Sequence, residues 1–139
     1  MTSSQPVITP NALNFTPDNK QCYAYSGEVT LGASANQNYL EFNTNSEYVI
    51  GHVIPHGSPD GAGSSDFSLY IYFNDVIIYS NRFLNNSNAY NQGNAGIRII
   101  VPPFTNVKLN LKNEESGTTV QMGIVFTGEA VGMTDTGYQ

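Results

Sequence analysis

The stretch Ile97–Asn113, IRIIVPPFTNVKLNLKN, decides the fold because two prolines separate two segments of alternating apolar and polar residues. The apolar side is formed before the break by Ile97, Ile99 and Val101, and after it by Val107, Leu109 and Leu111. Proline has no N–H to donate to a sheet, so Pro102 and Pro103 must lie outside both strands. The break therefore predicts a strand that leaves one sheet and a second strand that starts in another.

A period of two continues through most of the chain from Gln21 onward. Asn74 and Asp75 separate two apolar runs, and both residue types tolerate the left-handed backbone of a two-residue hairpin turn. No segment of ten residues combines helical apolar spacing with helix caps. The sequence predicts an all-β chain, a single antiparallel β-sandwich that is jelly-roll-like and has about eight strands.

The chain of 139 residues and 15.1 kDa fits one domain. Three prolines and scattered apolar residues predict an extended N-terminal arm over residues 1–20, followed by the sandwich over 21–132 and a loose tail over 133–139. The arm fits two interpretations, a frayed terminus or a strap whose apolar side chains dock on a neighbouring subunit.

Charge and cysteine content exclude several classes of protein. Charged residues make up only 12% of the chain and the net charge is −6, so a nucleic-acid partner is not expected. Cys22 is the only cysteine, which excludes an intrachain disulfide and a CxxC motif. The N-terminus lacks a basic segment followed by an apolar one, and no apolar run reaches the roughly 20 residues of a membrane span. We therefore expect neither an export signal nor a membrane contact.

Two segments contain residue types that bind metals, and neither predicts a metal or another cofactor. His52 and His56 have the i, i+4 spacing that places two side chains on one face of a straight strand. Pro55 between them indicates a bend, with His52 in a strand and His56 in a loop. A metal shared on the symmetry axis of an oligomer stays an alternative. In the Gly-rich loop, the oxygen ligands that calcium accepts are Asp60, Ser64, Ser65 and Asp66, without the spacing of an EF-hand.

Catalytic groups do not form a motif, and we expect a protein that is not an enzyme. Cys22 could pair with a histidine only through the tertiary fold. Glu114 and Glu115 are neighbours in a turn, so both side chains are expected to project to solvent rather than to face a shared substrate. The chain contains no GxSxG or HExxH motif.

Interaction residues are indicated by apolar segments and by the nine tyrosines. The segment EYVIGHVIP is apolar on both faces, as in a central strand or a strand at a subunit contact. Tyrosines in strands form cross-strand pairs, whereas Tyr90 lies in an Asn-rich segment where its ring can touch a partner. The predicted interface with other subunits or with a partner protein comprises Val7, Ile8, Leu13, Phe15, Val49, Ile50, Val53, Ile54 and Tyr90.

The segments LYIYFNDVIIYSN, IRIIVPPFTNVKLNLKN and MGIVFTGEAVG resemble the C-terminal half of small all-β virion proteins of tailed bacteriophages. The likeness covers Phe67 to Gly132 and consists of a hairpin with a short polar turn, a PP-containing crossover and a final strand ending in a TGxxxG-like stretch. It implies a capsid decoration, or cement, protein that binds the outer face of an assembled head, commonly as a homotrimer.

The resemblance also implies a partner and a location. The partner would be the major capsid protein of the same virus, and the location would be the capsid surface of the virion after synthesis in the host cytoplasm without a signal peptide. Two other classes stay open from the residues themselves. One is a carbohydrate-binding module whose site is formed by the loops Gly57–Asp66 and Asn85–Asn94, and the other is a subunit of a small jelly-roll shell.

Overall fold

The computed structural model describes residues 7–8, 13–15, 21–57, 66–83, 96–117 and 119–131. These residues contain eleven strands and no helix. The strands are β1 Val7–Ile8, β2 Leu13–Phe15, β3 Gln21–Tyr25, β4 Val29–Leu31, β5 Asn36–Asn43, β6 Tyr48–Gly57, β7 Phe67–Phe73, β8 Val76–Phe83, β9 Ile97–Val101, β10 Asn106–Asn113 and β11 Val120–Val131.

The strands form two sheets that pack face to face. One sheet has six strands in the order β1-β2-β5-β10-β7-β8, and the other has five, with the order β3-β11-β6-β9 and β4 paired to β11. All pairs are antiparallel except β2 with β5. The chain crosses repeatedly between the two sheets, as it does in a jelly roll, whose eight strands form two sheets. The predicted fold class, an all-β sandwich, is confirmed.

The crossing at the two prolines is also confirmed. β9 belongs to the five-stranded sheet and β10 to the six-stranded sheet, and Pro102 and Pro103 lie between them. The hydroxyl of Thr44 donates a hydrogen bond of 2.7 Å to the carbonyl of Pro102 and accepts one of 2.8 Å from the N–H of Thr105. This side chain therefore ties the β9–β10 turn to the β5–β6 turn.

The hairpin between β7 and β8 has the predicted turn. Asn74 and Asp75 adopt φ angles of 51° and 68°, the left-handed values that a type I′ turn requires at both central positions. The side chain of Asn74 accepts a 2.9 Å hydrogen bond from the N–H of Asn106. The turn is thereby fastened to the start of β10.

The core lies between the two sheets and contains the apolar faces of β5, β7, β10 and β11. At its centre, the rings of Phe42 and Phe126 meet across the sandwich with centroids 4.9 Å apart. Such a tilted aromatic pair contributes about 1 kcal/mol beyond the area that it buries. The predicted apolar face of the last strand is confirmed at Met122, Ile124 and Phe126, which are all buried.

Two glycines make room for Phe126. Gly51 in β6 lies directly opposite Gly128 in β11. A Cβ on Gly51 would lie 2.7 Å from the Phe126 ring and 2.5 Å from the carbonyl oxygen of Thr127, and a Cβ on Gly128 would lie 3.1 Å from the same ring. The backbones of both strands therefore rest directly on the aromatic ring.

The N-terminal residues extend the six-stranded sheet. Leu13 of β2 pairs with Leu40 of β5, and β1 pairs with β2. The rest of residues 1–20, and the predicted tail over 133–139, lie outside the described residues. The division into arm, sandwich and tail stays a prediction.

Gly51→Ala is expected to destabilise the fold, because the added methyl would overlap a buried ring and a backbone carbonyl in a packed core. The free energy of unfolding should fall by about 1–3 kcal/mol, measured by urea unfolding. Gly117→Ala is the matched control, since a Cβ at Gly117 meets no atom within 4 Å. Equal stabilities of the two variants would contradict the packing described above.

Candidate functional site

A shallow depression lies on the outer face of the five-stranded sheet. Strand register aligns Tyr23, Thr127, His52 and Arg98 in one row across β3, β11, β6 and β9. The depression has a volume of about 540 Å³ and is lined by Gln21, Cys22, Tyr23, Ile50, Gly51, His52, Arg98, Thr127, Gly128 and Glu129. It combines an exposed aromatic ring with side chains that donate and accept hydrogen bonds.

Two side chains of opposite charge, Arg98 and Glu129, line the depression. Neither Arg98 nor Glu129 forms an ion pair with another residue of the described part of the chain. The aromatic ring of Tyr23 is 67% exposed, because β3 turns Ala24 into the core and its tyrosines outward. The side chains of Tyr23, Arg98 and Glu129 are all exposed and accessible to a ligand on this face.

Both histidines lie in β6, so the prediction that His56 belongs to a loop is wrong. The strand continues through Pro55 to Gly57, and Pro55 pairs in register with Ile124. The ring of His56 stacks on Tyr25 at a centroid distance of 5.6 Å. No group of three or more His, Cys, Asp or Glu side chains among the described residues could hold a metal ion.

The predicted interface residues fall into distinct environments. Val49 and Val53 are buried in the core of the single chain, whereas Ile50 and Ile54 are half-buried on the outer face of β6. Val7 and Ile8 form β1, and Leu13 and Phe15 belong to β2. Tyr90 and the Asn-rich segment around it lie outside the described residues. Of the four predicted interface residues in β6, only the two isoleucines have surface to offer to a partner.

Exposed apolar side chains occur at one end of the sandwich, on the β7–β8 hairpin and in the β9–β10 turn. Four of them are large, and we call Val76, Ile77, Ile78 and Phe104 the end patch. The N–H of Asn74 in one turn donates a 2.7 Å hydrogen bond to the carbonyl of Asn106 beyond the other turn. The two parts of the end patch are thus held at fixed positions.

Phe104 is the most exposed large apolar side chain of the described residues, at 76%. Its φ angle is 55°, a left-handed value that costs a non-glycine residue roughly 1–2 kcal/mol. Its N–H donates a 2.8 Å hydrogen bond to the carbonyl of Asn45. The sequence analysis identified the two prolines but did not identify Phe104 as an exposed residue of interest. The signal was present, because a bulky aromatic residue directly follows the two prolines.

The opposite end of the sandwich carries a network of charged side chains. Asp66 is one of the four residues whose oxygen atoms are of the kind that calcium accepts. Its carboxylate accepts a 2.8 Å hydrogen bond from Arg82 and forms an ion pair with it. The other three of these residues, Asp60, Ser64 and Ser65, lie outside the described residues. The carboxylate of Asp66 is therefore already engaged within the chain.

Glu114 and Glu115 do not both project freely to solvent, contrary to the prediction. Glu114 accepts a 2.6 Å hydrogen bond from the hydroxyl of Ser68, and Glu115 accepts one of 3.2 Å from the N–H of Asp66. The bond from Ser68 lowers the pKa of Glu114, and the positive charges of Lys112 and Arg82 lower it further. These carboxylates fasten β7 to the turn after β10.

Cys22 lines the depression together with His52. Burial raises the pKa of the Cys22 thiol, which disfavours the thiolate that a Cys-His dyad needs. The expectation that the chain is not an enzyme stays a prediction. In the part of the chain that the structure describes, no helix is long and apolar enough to cross a membrane.

Comparison with known proteins reveals distant structural likeness only. No protein-family model matches the chain, and no curated protein matches it. A family 35 carbohydrate-binding module from an environmental isolate is similar over 80% of each chain, with 20% identity and a TM-score of 0.47. The VP2 subviral particle of infectious bursal disease virus is similar over 91% of this chain and 38% of that one, with 12% identity and a TM-score of 0.41.

A third similar structure is the insecticidal delta-endotoxin Cry8Ea1 of Bacillus thuringiensis, at 13% identity and a TM-score of 0.43. The likeness covers 75% of this chain, which spans about a fifth (19%) of the endotoxin chain. With TM-scores under 0.5, none of the three assigns a function to this chain.

Ser68→Ala is expected to cost stability in a pH-dependent way. The folded state lowers the pKa of Glu114 below its ordinary value of 4.5, so the stabilisation is present above that value and is lost as the pH falls through the folded pKa. Urea unfolding at pH 7 should show a loss of about 1 kcal/mol or more, and the loss should shrink in acid. Ser80→Ala, at an exposed position of β8, is the control. An equal loss of unfolding free energy for Ser68→Ala at pH 7 and in acid would contradict this expectation.

Proposed function

We propose that this chain is a non-enzymatic virion structural protein, a capsid decoration protein that binds the outer surface of an assembled phage head and stabilises it. The observation that carries the proposal is the exposed ring of Phe104 on a turn held by hydrogen bonds. The jelly roll adds support, because this architecture recurs in viral capsid and lectin domains. Fold alone does not assign function, so the exposed side chains of the end patch are the support specific to this chain.

Phe104 has the properties of an interface anchor. Its phenyl ring offers a large apolar surface, and the turn beneath it is held by the hydrogen bonds that the Thr44 hydroxyl donates to Pro102 and accepts from Thr105. A rigid aromatic side chain loses little conformational entropy on binding, so most of the energy of its burial contributes to affinity. We therefore place the contact with the major capsid protein at Phe104.

The second contact is between copies of this chain. β8 is the last strand of the six-stranded sheet, and its far side has no strand partner among the described residues. Its residues Val76, Ile77 and Ile78 are exposed, and exposed apolar side chains at a sheet edge favour burial against another chain. We propose that three copies bury these edges in a homotrimer.

A trimer on the capsid stabilises the head by adding binding free energy at several linked points. Because three copies bind as one unit, weak contacts at each Phe104 combine into tight attachment. Protein that binds only the assembled shell shifts the equilibrium towards that shell. In this proposal the arm over residues 1–20 acts as a strap towards neighbouring subunits, and the location is the virion surface.

Phe104→Ser is expected to weaken capsid attachment, because it removes the anchor from an exposed turn. The test adds purified chain to heads of the same virus that lack it and measures the bound fraction by co-sedimentation. The apparent Kd should rise by about tenfold or more. Ile100→Ser is the matched control, since Ile100 is an exposed apolar residue of β9 outside the end patch.

Light scattering should give all three proteins a mass near three times the 15.1 kDa chain mass, so that a loss of binding reports on the capsid contact alone. Equal attachment of the wild type and Phe104→Ser would overturn the assignment of Phe104 as the anchor.

A further inference from the structure

We infer that the depression on the outer face of the five-stranded sheet binds a neutral oligosaccharide. This site is separate from the end patch, and the inference does not depend on the capsid contact. It also differs from a sugar site in the loops over residues 57–66 and 85–94, because it is built from strand residues of β3, β11, β6 and β9.

The aromatic part of the site is Tyr23, and Tyr25 lies next to it on the same face of β3, beyond the residues that line the depression. Tyr23 and Tyr25 are two residues apart, so their side chains lie about 7 Å apart along the strand. Both are exposed, and the ring of Tyr25 is fixed by stacking on His56. Aromatic faces pack against the C–H face of a pyranose ring, and a second exposed ring further along β3 is available to a following sugar.

The polar part of the site lies beside Tyr23. The row Tyr23, Thr127, His52 and Arg98 spans three gaps between strands, or about 14 Å. Arg98 can only donate hydrogen bonds, the carboxylate of Glu129 accepts them, and the hydroxyl of Thr127 can do both. Sugar hydroxyls also both donate and accept, so this mixture of groups matches them.

Charge at the site favours a neutral ligand. One positive side chain, Arg98, and one negative side chain, Glu129, line the depression, and neither is paired with another described residue. Their hydrogen-bonding groups are therefore available to a ligand, while their charges balance. An anionic sugar would gain from Arg98 but would be repelled by Glu129 and by a chain with a net charge of −6.

The size of the depression has a structural cause. Its floor includes Gly51 and Gly128, whose backbones rest on the Phe126 ring instead of being held away from it by side chains. The outer surface is correspondingly recessed at this pair. A volume of about 540 Å³ lies within the range of about 300–1,000 Å³ that is usual for small-molecule sites.

The test is a glycan microarray probed with the full chain. It carries neutral oligosaccharides of glucose, galactose, mannose and their N-acetylamines, with sialylated and uronic-acid oligosaccharides printed beside them. Wild-type protein should bind at least one neutral class, and calorimetric titration with the best-bound neutral oligosaccharide should give its Kd. Tyr23→Ala should raise that Kd by about tenfold, since stacking on an aromatic ring is lost. Glu129→Gln should also raise it.

Two controls separate this site from the rest of the surface. Tyr72→Ala removes a half-buried tyrosine from the outer face of the other sheet, and Phe104→Ser removes the capsid anchor; both should bind the sugar like the wild type. Unfolding midpoints check that each variant is folded. Binding of no neutral class, binding of acidic sugars alone, or equal binding by Tyr23→Ala would each overturn the inference. Capsid attachment of Tyr23→Ala should be unchanged, so the two proposals fail independently.

Discussion

The structure depends on the packing of Phe126 between the Gly51–Gly128 pair and Phe42. Its ring contacts the backbones of β6 and β11 on one side and meets Phe42 of the opposite sheet at 4.9 Å. Any side chain at the two glycines would overlap this ring or a neighbouring carbonyl, so the sequence must leave both positions empty. The same contact holds the two sheets together beneath the depression, whose lining includes both glycines.

The two proposed interaction surfaces arise from different parts of this architecture. The depression arises from strand pairing, because the register of four strands places Tyr23, Thr127, His52 and Arg98 in one row. Phe104 of the end patch is positioned by a turn, because the hydrogen bonds of Thr44 fix the crossover that presents it. The surfaces are therefore separable by mutation, and one chain can attach to a shell while it presents a second site.

The fold was more predictable from the sequence than the sites were. The prolines at 102–103 predicted the crossing between sheets, and Asn74-Asp75 predicted the hairpin, because both are local backbone constraints. Alternation in β3 did not reveal that small Ala24 lies inside and large Tyr23 outside, since tyrosine is amphipathic and fits either face. The depression joins residues of four strands through register, which no local pattern contains.

The most direct test of the proposed role is an electron cryomicroscopy reconstruction of heads of the same virus saturated with this chain. We expect three copies of the sandwich around a three-fold axis on the outer surface of the shell, with the β8 edges buried against one another. Phe104 should lie in a pocket of the major capsid protein. Absence of the chain from the particle, or density with Phe104 facing solvent, would refute the proposed role.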